Sequence, residues 1–375
     1  MNISKRLYTY IALVSLAALC TSACSGRGAS LSGEEGGDTI AMRHSALLSI
    51  VEYEGHTDVE VRNPWDTAAI PRRYCLASED GRTFHDGRDI ATIRVPLRRA
   101  AVFSGIHCAL MGELGAEKSV AGVCDPQYIH SPFVAEGIAD GSIVNLGNST
   151  SPNVESIIAL QPDALMPSPY GDGRGYGRMA SLGIPIIECS DYMESSPLGR
   201  AEWIRFYGRL LGKGALADSI FSDIEEDYRM ARQTARTADD KPSMICELPI
   251  GGTWYMPCAE STMGIMYKDA GARYLFDDKH GAGSIPLSIE QALERGMNAD
   301  AWLIKHHGRL TRSDILGECP LAQAIKARIW VCNTETSGYY EDIPFHPERL
   351  LENLVYIFHP ELARKPKKTY FCPLE

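Results

Sequence analysis

Apolar and polar residues alternate over residues 44–64, "HSALLSIVEYEGHTDVEVRNP", on either side of Glu54-Gly55. This period of two, interrupted by a glycine turn, predicts a β-hairpin. Further along, short apolar runs such as "RAAVFS" (residues 99–104) alternate with segments of helical spacing such as "GIHCALMGELGA" (residues 105–116). Strands that alternate with helices predict an α/β fold with mainly parallel sheets.

One helix-to-strand unit occurs twice in the chain. In "NVESIIALQPDALMPSP" (residues 153–169), a helix that starts at Asn153 stops at a proline and leads into an apolar strand. "SIEQALERGMNADAWLIK" (residues 288–305) repeats the order of acidic helix start, aliphatic face, break with an Asp, and strand. We expect one such unit in each half of the chain, although any α/β lobe offers units of this kind.

Between the two units, residues 198–235 form one long amphipathic stretch with apolar side chains at helical intervals. Gly212 and Gly214 are expected to kink or interrupt this helix. The alternation of strands and helices returns after "TADDKP" (residues 237–242), and "YGRMASLGIPIIECS" earlier in the chain predicts a helix followed by a strand over residues 184–188. We therefore predict two α/β lobes joined by a long interdomain helix.

The first 24 residues have the features of an export signal. Lys5 and Arg6 precede an apolar run over residues 11–20, and small residues precede Cys24. That run is shorter than the ~20 residues that a membrane-spanning helix needs. The sequence "TSAC" at residues 21–24 resembles a relaxed bacterial lipobox, which predicts a lipid on Cys24; simple secretion is the alternative.

These changes of pattern set the predicted domain boundaries. They are a signal peptide over residues 1–24, a flexible tether over 25–44, a first lobe over 45–197 that includes a β extension at 45–96, an interdomain helix over 198–235, and a second lobe over 241–375.

Composition excludes several classes of protein. Of the 375 residues, 45% are hydrophobic and 23% are charged, which is typical of a globular protein with sizeable cores. The net charge of -11 with scattered basic residues argues against a nucleic-acid partner. Nine cysteines follow the signal, an odd number without C-x-x-C spacing, which favours buried free thiols over a zinc knuckle.

Five segments together resemble the periplasmic-binding-protein family for iron chelates and cobalamin, the helical-backbone substrate-binding proteins of ABC importers. They are "NVESIIALQPDALM", "LGIPIIE", the long stretch from Leu198, "SIEQALERGMNADAWLI" and "HPERLLENLVYIFHPEL", in the family's order over residues 97–363. The resemblance implies two lobes on a rigid helix, with ligand in a shallow cleft and little hinge closure. Residues 25–96 have no counterpart in the family pattern.

The resemblance also implies a way of docking on a membrane transporter. In the family, one acidic residue per lobe faces arginines of the permease subunits. The matching residues are Glu155 and Glu290, each of which would otherwise be a helix-start residue stabilised by the helix dipole. The implied protein is a monomer, not an enzyme, anchored by its lipid on the periplasmic side of the cell envelope.

Ligand contacts in such proteins come from loops at strand ends that face each other across the cleft. The predicted ligand-binding residues are His107, Tyr128, Tyr170, Arg174, Tyr176, Trp254, Tyr255, His280 and Tyr340. Weaker candidates in the same loops are Ser104, Asp125, His130, Tyr192, His306, His307 and Tyr339. Aromatic rings suit a large planar ligand, and arginine suits its carboxylates; His107 equally fits a structural role.

The ligand class stays open among a ferric siderophore, haem and cobalamin. Haem would need a Tyr or His axial ligand, for which Tyr128, His130, Tyr170 and His280 are available. The other two chelates carry their metal already enclosed. No catalytic residue, protein-bound metal or further cofactor is expected.

Three other functions compete with this prediction. A surface lipoprotein that scavenges haem or another chelate without a permease would share the fold and the signal. An exported hydrolase is a second possibility, but the sequence has no G-x-S-x-G or H-E-x-x-H motif. A free-ion importer component for zinc or manganese would show a tight His/Asp/Glu group, and the ten histidines are dispersed.

Overall fold

The computed structural model describes residues 36–66, 68–78, 90–169 and 176–374. The described residues from Asp38 onward form one compact unit. The predicted signal, Cys24 and most of the tether lie outside the described residues. No helix in the described part of the chain has the length and apolar composition needed to cross a membrane.

The β extension folds into a five-stranded accessory sheet. Its strands, in spatial as well as chain order, are β1 (Asp38–Ile40), β2 (Leu48–Tyr53), β3 (His56–Val61), β4 (Arg72–Ser78) and β5 (Ala91–Val95). The predicted hairpin is confirmed, since β2 and β3 pair up to Tyr53 and His56 around Glu54-Gly55. Gly55 has a φ of 96°, which favours glycine at this turn.

The first lobe contains a parallel sheet of order β11-β6-β7-β8. Its strands are β6 (Ala100–Val102), β7 (Val120–Val123), β8 (Val144–Asn145) and β11 (Ala164–Met166), and β9 (Gly147–Asn148) pairs separately with β10 (Ser151–Pro152). Its helices are α1 (Gly105–Glu113), α2 (Pro132–Asp140) and α3 (Val154–Leu160).

The helix and the strand predicted for "YGRMASLGIPIIECS" do not form regular elements, so this prediction is wrong. Residues 177–181 form a short 3₁₀ helix, and the predicted strand over residues 184–188 is reduced to a bridge between Leu165 and Ile186. Prolines explain the reduction, because Pro167 and Pro185 have no backbone N–H to donate to a neighbouring strand.

The interdomain stretch consists of three helices, α4 (Pro197–Ala201), α5 (Ile204–Leu210) and α6 (Gly214–Arg236). The chain leaves the helical path at Gly212, whose φ is 68°, at the predicted interruption. Helix α6 has 23 residues and is about 35 Å long. Phe221 and Ile224 pack in the core of the first lobe, whereas Tyr228 and Ala235 pack in the core of the second. A single helix is therefore part of both cores.

The second lobe has a sheet of order β14-β12-β16-β17-β18, parallel except for the last strand. Its strands are β12 (Ser243–Cys246), β14 (Arg273–Tyr274), β16 (Ala301–His306), β17 (Arg328–Asn333) and β18 (Cys372–Pro373), and β13 (Thr253–Pro257) pairs antiparallel with β15 (Ser284–Ser288). Its helices are α7 (Thr262–Asp269), α8 (Ile289–Gly296), α9 (Arg312–Glu318), α10 (Tyr339–Asp342) and α11 (Pro347–Phe358).

The repeated helix-to-strand unit is confirmed as α3–β11 and α8–β16, and its aspartate has the same role in both lobes. Asp163 Oδ2 accepts the N–H of Arg98 at 2.7 Å and of Arg99 at 2.9 Å, just before β6. Asp300 Oδ2 accepts the N–H of Ser243 at 2.8 Å, at the start of β12. Each carboxylate therefore hydrogen-bonds the backbone at the start of the strand that pairs with the strand following that aspartate.

Two buried glutamates bind the backbone that connects β1 to β2 of the accessory sheet. Glu202 accepts the N–H groups of Arg43, His44 and Ser45 at 2.8–2.9 Å. Glu194 accepts those of residues 46 and 47 at 2.9 and 3.1 Å, and also the Trp203 indole N–H at 2.9 Å. The tether predicted to reach residue 44 is therefore too long: strand β1 begins at Asp38, and these carboxylates fix residues 43–47 to the first lobe.

The Glu202 carboxylate is fully buried, and it satisfies three backbone donors. We expect Glu202→Gln to lower the free energy of unfolding by about 3 kcal/mol, because an amide has one acceptor oxygen and brings N–H donors of its own. Urea denaturation followed by tryptophan fluorescence measures this change.

The matched control is Glu225→Gln, since Glu225 contacts Arg43 and His44 through partly exposed side chains. Its expected cost is below about 1 kcal/mol. Equal costs for the two variants would contradict the assignment of Glu202 as the anchor of this segment.

Candidate ligand-binding cleft

The carboxyl ends of the strands in the two lobes meet at α10. Glu341 of this helix follows β17, and its Oε1 accepts the backbone N–H of His130 at 2.8 Å, in the loop after β7. A Cβ placed on Gly105, at the start of α1 after β6, would lie 2.6 Å from the same oxygen. Loops at the strand ends of both lobes therefore converge here, the usual position of a ligand site in open α/β sheets.

On the first lobe, a pocket of about 250 Å³ opens beside these strand ends. Its wall has apolar, hydroxyl and charged groups, contributed by Phe103, Ser104, Ile106, His107, Ser149, Pro167, Ser168, Asp191, Tyr192 and Arg200. The pocket is smaller than the roughly 300–1,000 Å³ typical of small-molecule sites, so it suits part of a large ligand rather than the whole of it.

A charged network lies at the base of this pocket, centred on the buried carboxylate of Asp191. Its Oδ1 contacts His107 Nε2 at 2.9 Å and accepts the Tyr207 hydroxyl at 2.8 Å. Its Oδ2 accepts the Arg200 Nε–H at 3.0 Å. Arg200 is the most exposed member, with 23% of its side chain accessible. The network therefore presents a fixed guanidinium at the edge of the cleft.

The electrostatics of the network favour ionised side chains. Burial opposes the charge of Asp191, but His107 and Arg200 lower the pKa of this carboxyl to about 2. Burial likewise opposes the imidazolium of His107, but Cys189 and Asp191 raise the pKa of this histidine to about 10. His107 is 2% exposed, so it positions Asp191 rather than offering a free ring to a ligand.

The second lobe has its own half-buried ion pair at the strand ends. Glu247 follows β12, and its carboxylate pairs with Lys305 near the end of β16. The Lys305 ammonium lies 5.8 Å from the centre of the Tyr339 ring. Burial opposes this charge, but Glu247 and Tyr339 raise the pKa of Lys305. Glu247 has a left-handed backbone with φ 63°, held by the indole N–H of Trp302, which donates to its carbonyl at 2.8 Å.

Two predicted ligand residues flank the contact between the lobes. Tyr128 is 73% exposed and lies two residues before His130, and Tyr340 is 58% exposed and adjoins Glu341. Tyr176 places a buried hydroxyl near Glu188 in the first lobe. Tyr170 and Arg174 lie outside the described residues.

The prediction that Trp254 contacts ligand is wrong. Its side chain is fully buried in the core of the second lobe, and its indole N–H donates to the Cys246 carbonyl at 3.0 Å. Alternation along β13 explains the error, because the neighbouring Tyr255 faces outward and is 47% exposed. His280 is exposed and pairs with Glu260 at 2.6 Å, and Glu260 also accepts the Gly281 N–H, so this histidine belongs to a local turn.

Sequence reasoning missed the charged residues that organise the cleft. They are Asp191, Arg200, Glu247, Lys305 and Glu341. A signal was present for three of them, since Asp191, Glu247 and Lys305 come at or just after apolar strand-like runs, "IIECSD", "SMICE" and "AWLIK".

Glu155 and Glu290 lie in the first turns of α3 and α8, as predicted, and both are exposed. Glu155 pairs with Arg178 at 3.2 Å, with 72% of each side chain accessible. The backbone N–H of Glu290 itself and Ser288 lower the pKa of the Glu290 carboxyl. Since a helix that leads to the amino end of a parallel strand begins on the carboxyl side of the sheet, both glutamates lie toward the cleft side of their lobes.

Asp191→Asn should lower the free energy of unfolding by about 3–5 kcal/mol at pH 5, because it leaves the buried His107 and the half-buried Arg200 without a charged partner. The ionised Asp191 carboxylate contributes to the free energy of unfolding fully above its ordinary pKa of 3.8. The stability from His107 is fully present below its ordinary pKa of 6.5 and is lost as the pH rises toward 10. The difference between wild type and variant should therefore be largest between pH 4 and 6.5 and smaller at pH 9.

Urea denaturation at pH 5 and pH 9 measures both differences. Asp140→Asn is the control, because Asp140 is exposed at a helix end and its replacement should leave the stability nearly unchanged at both pH values. A cost for Asp191→Asn that is the same at both pH values would contradict the paired network.

Comparison with known proteins identifies a family that matches this chain. The family of periplasmic binding proteins matches residues 110–329. An uncharacterised lipoprotein of Methanocaldococcus jannaschii is 26% identical over 300 residues, which cover 76% of this chain and 70% of the relative.

Solved structures agree in fold. A periplasmic heme-binding protein from Pseudomonas aeruginosa superimposes with a TM-score of 0.57 at 18% identity, covering 74% of this chain and 98% of that one. An ABC-type Fe3+-hydroxamate transport protein from Saccharomonospora viridis gives a TM-score of 0.51 at 20% identity, covering 70% and 93%. From the matched segment and the two-lobed fold, this chain belongs to the periplasmic binding protein family, and it is a binding protein rather than an enzyme.

Proposed function

We propose that the protein captures a metal chelate between its two lobes and delivers it to the permease of an ABC importer. The observation that carries this proposal is the contact of Glu341 with the His130 amide, which joins the strand ends of both lobes. Tyr128 and Tyr340 remain exposed beside that contact, one from each lobe. Two aromatic rings at the mouth of a shallow cleft suit a large ligand with flat, partly apolar surfaces.

The charges of the cleft support a ligand with anionic groups. Arg200 is fixed by Asp191 but keeps an exposed fraction, so it is available for a carboxylate or a catecholate oxygen. The two structural relatives named for heme and for Fe3+-hydroxamate transport agree with a chelate as cargo, by analogy of fold. Haem, a ferric siderophore and a corrinoid all satisfy this chemistry, and Tyr128 and His130 are the accessible axial ligands for haem.

Two features support the importer and the lipid anchor. Glu155 and Glu290 are exposed at equivalent helix starts, one per lobe, as docking on two permease subunits requires. Cys24 in its lipobox-like sequence supports lipidation, and the relative from Methanocaldococcus jannaschii is named a lipoprotein. The proposed location is the periplasmic side of a membrane.

Tyr128→Ala and Tyr340→Ala should each weaken ligand affinity about tenfold, because each removes an aromatic contact worth roughly 1–2 kcal/mol. Absorbance and fluorescence titrations with haemin, cyanocobalamin and several ferric siderophores identify the ligand and measure the loss.

Trp65→Ala is the matched control, since Trp65 is 37% exposed in the accessory sheet region and should leave affinity unchanged. Wild-type affinity in both tyrosine variants would show that the cleft has been misplaced. A lack of response to every chelate would argue against the proposed cargo.

Glu155→Arg combined with Glu290→Arg should abolish transport and leave ligand affinity intact, because like charges would then face the permease arginines. Uptake of labelled chelate in cells, together with titration of the purified variant, separates the two effects.

Glu136→Arg with Glu294→Arg is the control, since it makes the same change of charge at exposed positions of α2 and α8. Normal transport by the docking variant would refute the assignment of both glutamates. It would favour a scavenging lipoprotein that acts without a permease.

A further inference from the structure

The accessory sheet carries a group of three metal-ligating side chains away from the cleft. His56, Asp58 and Cys75 each offer one ligand atom, and these atoms all lie within 4.8 Å of one another. Within the described ranges they form the one such group. A sequence search for C-x-x-C or Cys/His spacing misses it, because the cysteine comes from a neighbouring strand 17 positions after Asp58.

The register of β3 and β4 brings the three residues together. Asp58 is paired directly with Cys75, and His56 precedes Asp58 by two residues, so it lies on the same face of the sheet. The opposite face is apolar and packs on the first lobe through residues such as Ile50, Val59 and Tyr74. Since a shift of one residue would expose that apolar face, the packing of the sheet also fixes the cluster.

The separation of His56 and Asp58 agrees with coordination of a single cation. His56 Nε2 and Asp58 Oδ1 are 3.7 Å apart. Tetrahedral zinc with bonds of about 2.0–2.3 Å places its ligand atoms roughly 3.3–3.8 Å from each other. The imidazole is oriented by stacking on Tyr53, with ring centroids 4.7 Å apart and planes 6° from parallel. The three ligand atoms lie within 4.8 Å of one another, so the proposed ion requires any longer separation to shorten into this range.

Charge and burial select the kind of cation. A carboxylate, a thiolate and a neutral imidazole together carry two negative charges, which one divalent cation balances. On the same face, Glu60 already forms an ion pair with Arg73 at 3.0 Å, so the Glu60 carboxylate does not compete for the cation. Nitrogen, oxygen and sulfur together suit Zn²⁺ rather than Mg²⁺ or Ca²⁺. Cys75 is 1% exposed, and low polarity strengthens such bonds.

We propose that His56, Asp58 and Cys75 bind one Zn²⁺ ion, with the fourth position taken by water, as in three-ligand zinc sites. Such an ion would join β3 to β4 and stabilise the accessory sheet. The site lies outside the family match of residues 110–329 and shares no residue with the cleft. It is therefore independent of the chelate proposed as cargo.

The test uses the full-length protein, reduced and stripped of metal, titrated with Co²⁺ as a spectroscopic substitute for Zn²⁺. We expect one equivalent to bind with a near-ultraviolet thiolate-to-cobalt charge-transfer band and visible bands of tetrahedral cobalt, and we expect Zn²⁺ to displace it. Cys75→Ser should remove the charge-transfer band. His56→Gln and Asp58→Asn should weaken binding about 10–100-fold or more.

Cys319→Ser is the control, because Cys319 is as buried as Cys75 and lies in the core of the second lobe. It should keep the full cobalt spectrum. Circular dichroism of every variant confirms that the fold is retained. The proposal is overturned if wild type gives no charge-transfer band, or if the band survives unchanged in Cys75→Ser, or in both His56→Gln and Asp58→Asn.

Discussion

The distance between the lobes depends on one helix that is buried in two cores. The amino-terminal half of α6 packs Phe221 and Ile224 into the first lobe, and its carboxyl-terminal half packs Tyr228 into the second. A hinge motion between the lobes would have to bend α6 or withdraw one half of it from its core, and withdrawal would cost several kcal/mol. The shared helix therefore limits how far the two lobes can move relative to each other.

Some polar residues of the candidate cleft are held in strained backbone conformations, at some cost in stability. Asp125 and Glu247 have positive φ angles of 50° and 63°, each just after a strand of its own lobe. A left-handed backbone at a residue other than glycine costs roughly 1–2 kcal/mol. Hydrogen bonds offset this cost. The Ser149 backbone N–H donates to the Asp125 carboxylate at 3.0 Å, and the Trp302 indole N–H donates to the Glu247 carbonyl. Strain of this kind is common where side chains must be positioned for a ligand.

The accessory sheet shows how a segment outside the family pattern becomes part of the molecule. Its apolar face closes the core of the first lobe, and Glu194 and Glu202 hold the backbone between β1 and β2 by five N–H groups. A sequence pattern cannot reveal this anchoring, because the glutamates lie about 150 residues away from the amides they bind. The tether prediction failed at residues 38–44 for that reason.

The sequence by itself determined the order and type of most elements, because hydrophobic period, caps and prolines act over a few neighbouring residues. It identified the hairpin at Glu54-Gly55, the repeated helix-to-strand unit, the interruption at Gly212 and the exposed helix starts at Glu155 and Glu290. The tertiary structure decided which side chains face the cleft: it buried Trp254, enclosed His107 against Asp191, and brought Glu341 to the other lobe. It also assembled His56, Asp58 and Cys75 across two strands. These outcomes depend on strand register and on contacts between distant segments, which no local pattern encodes.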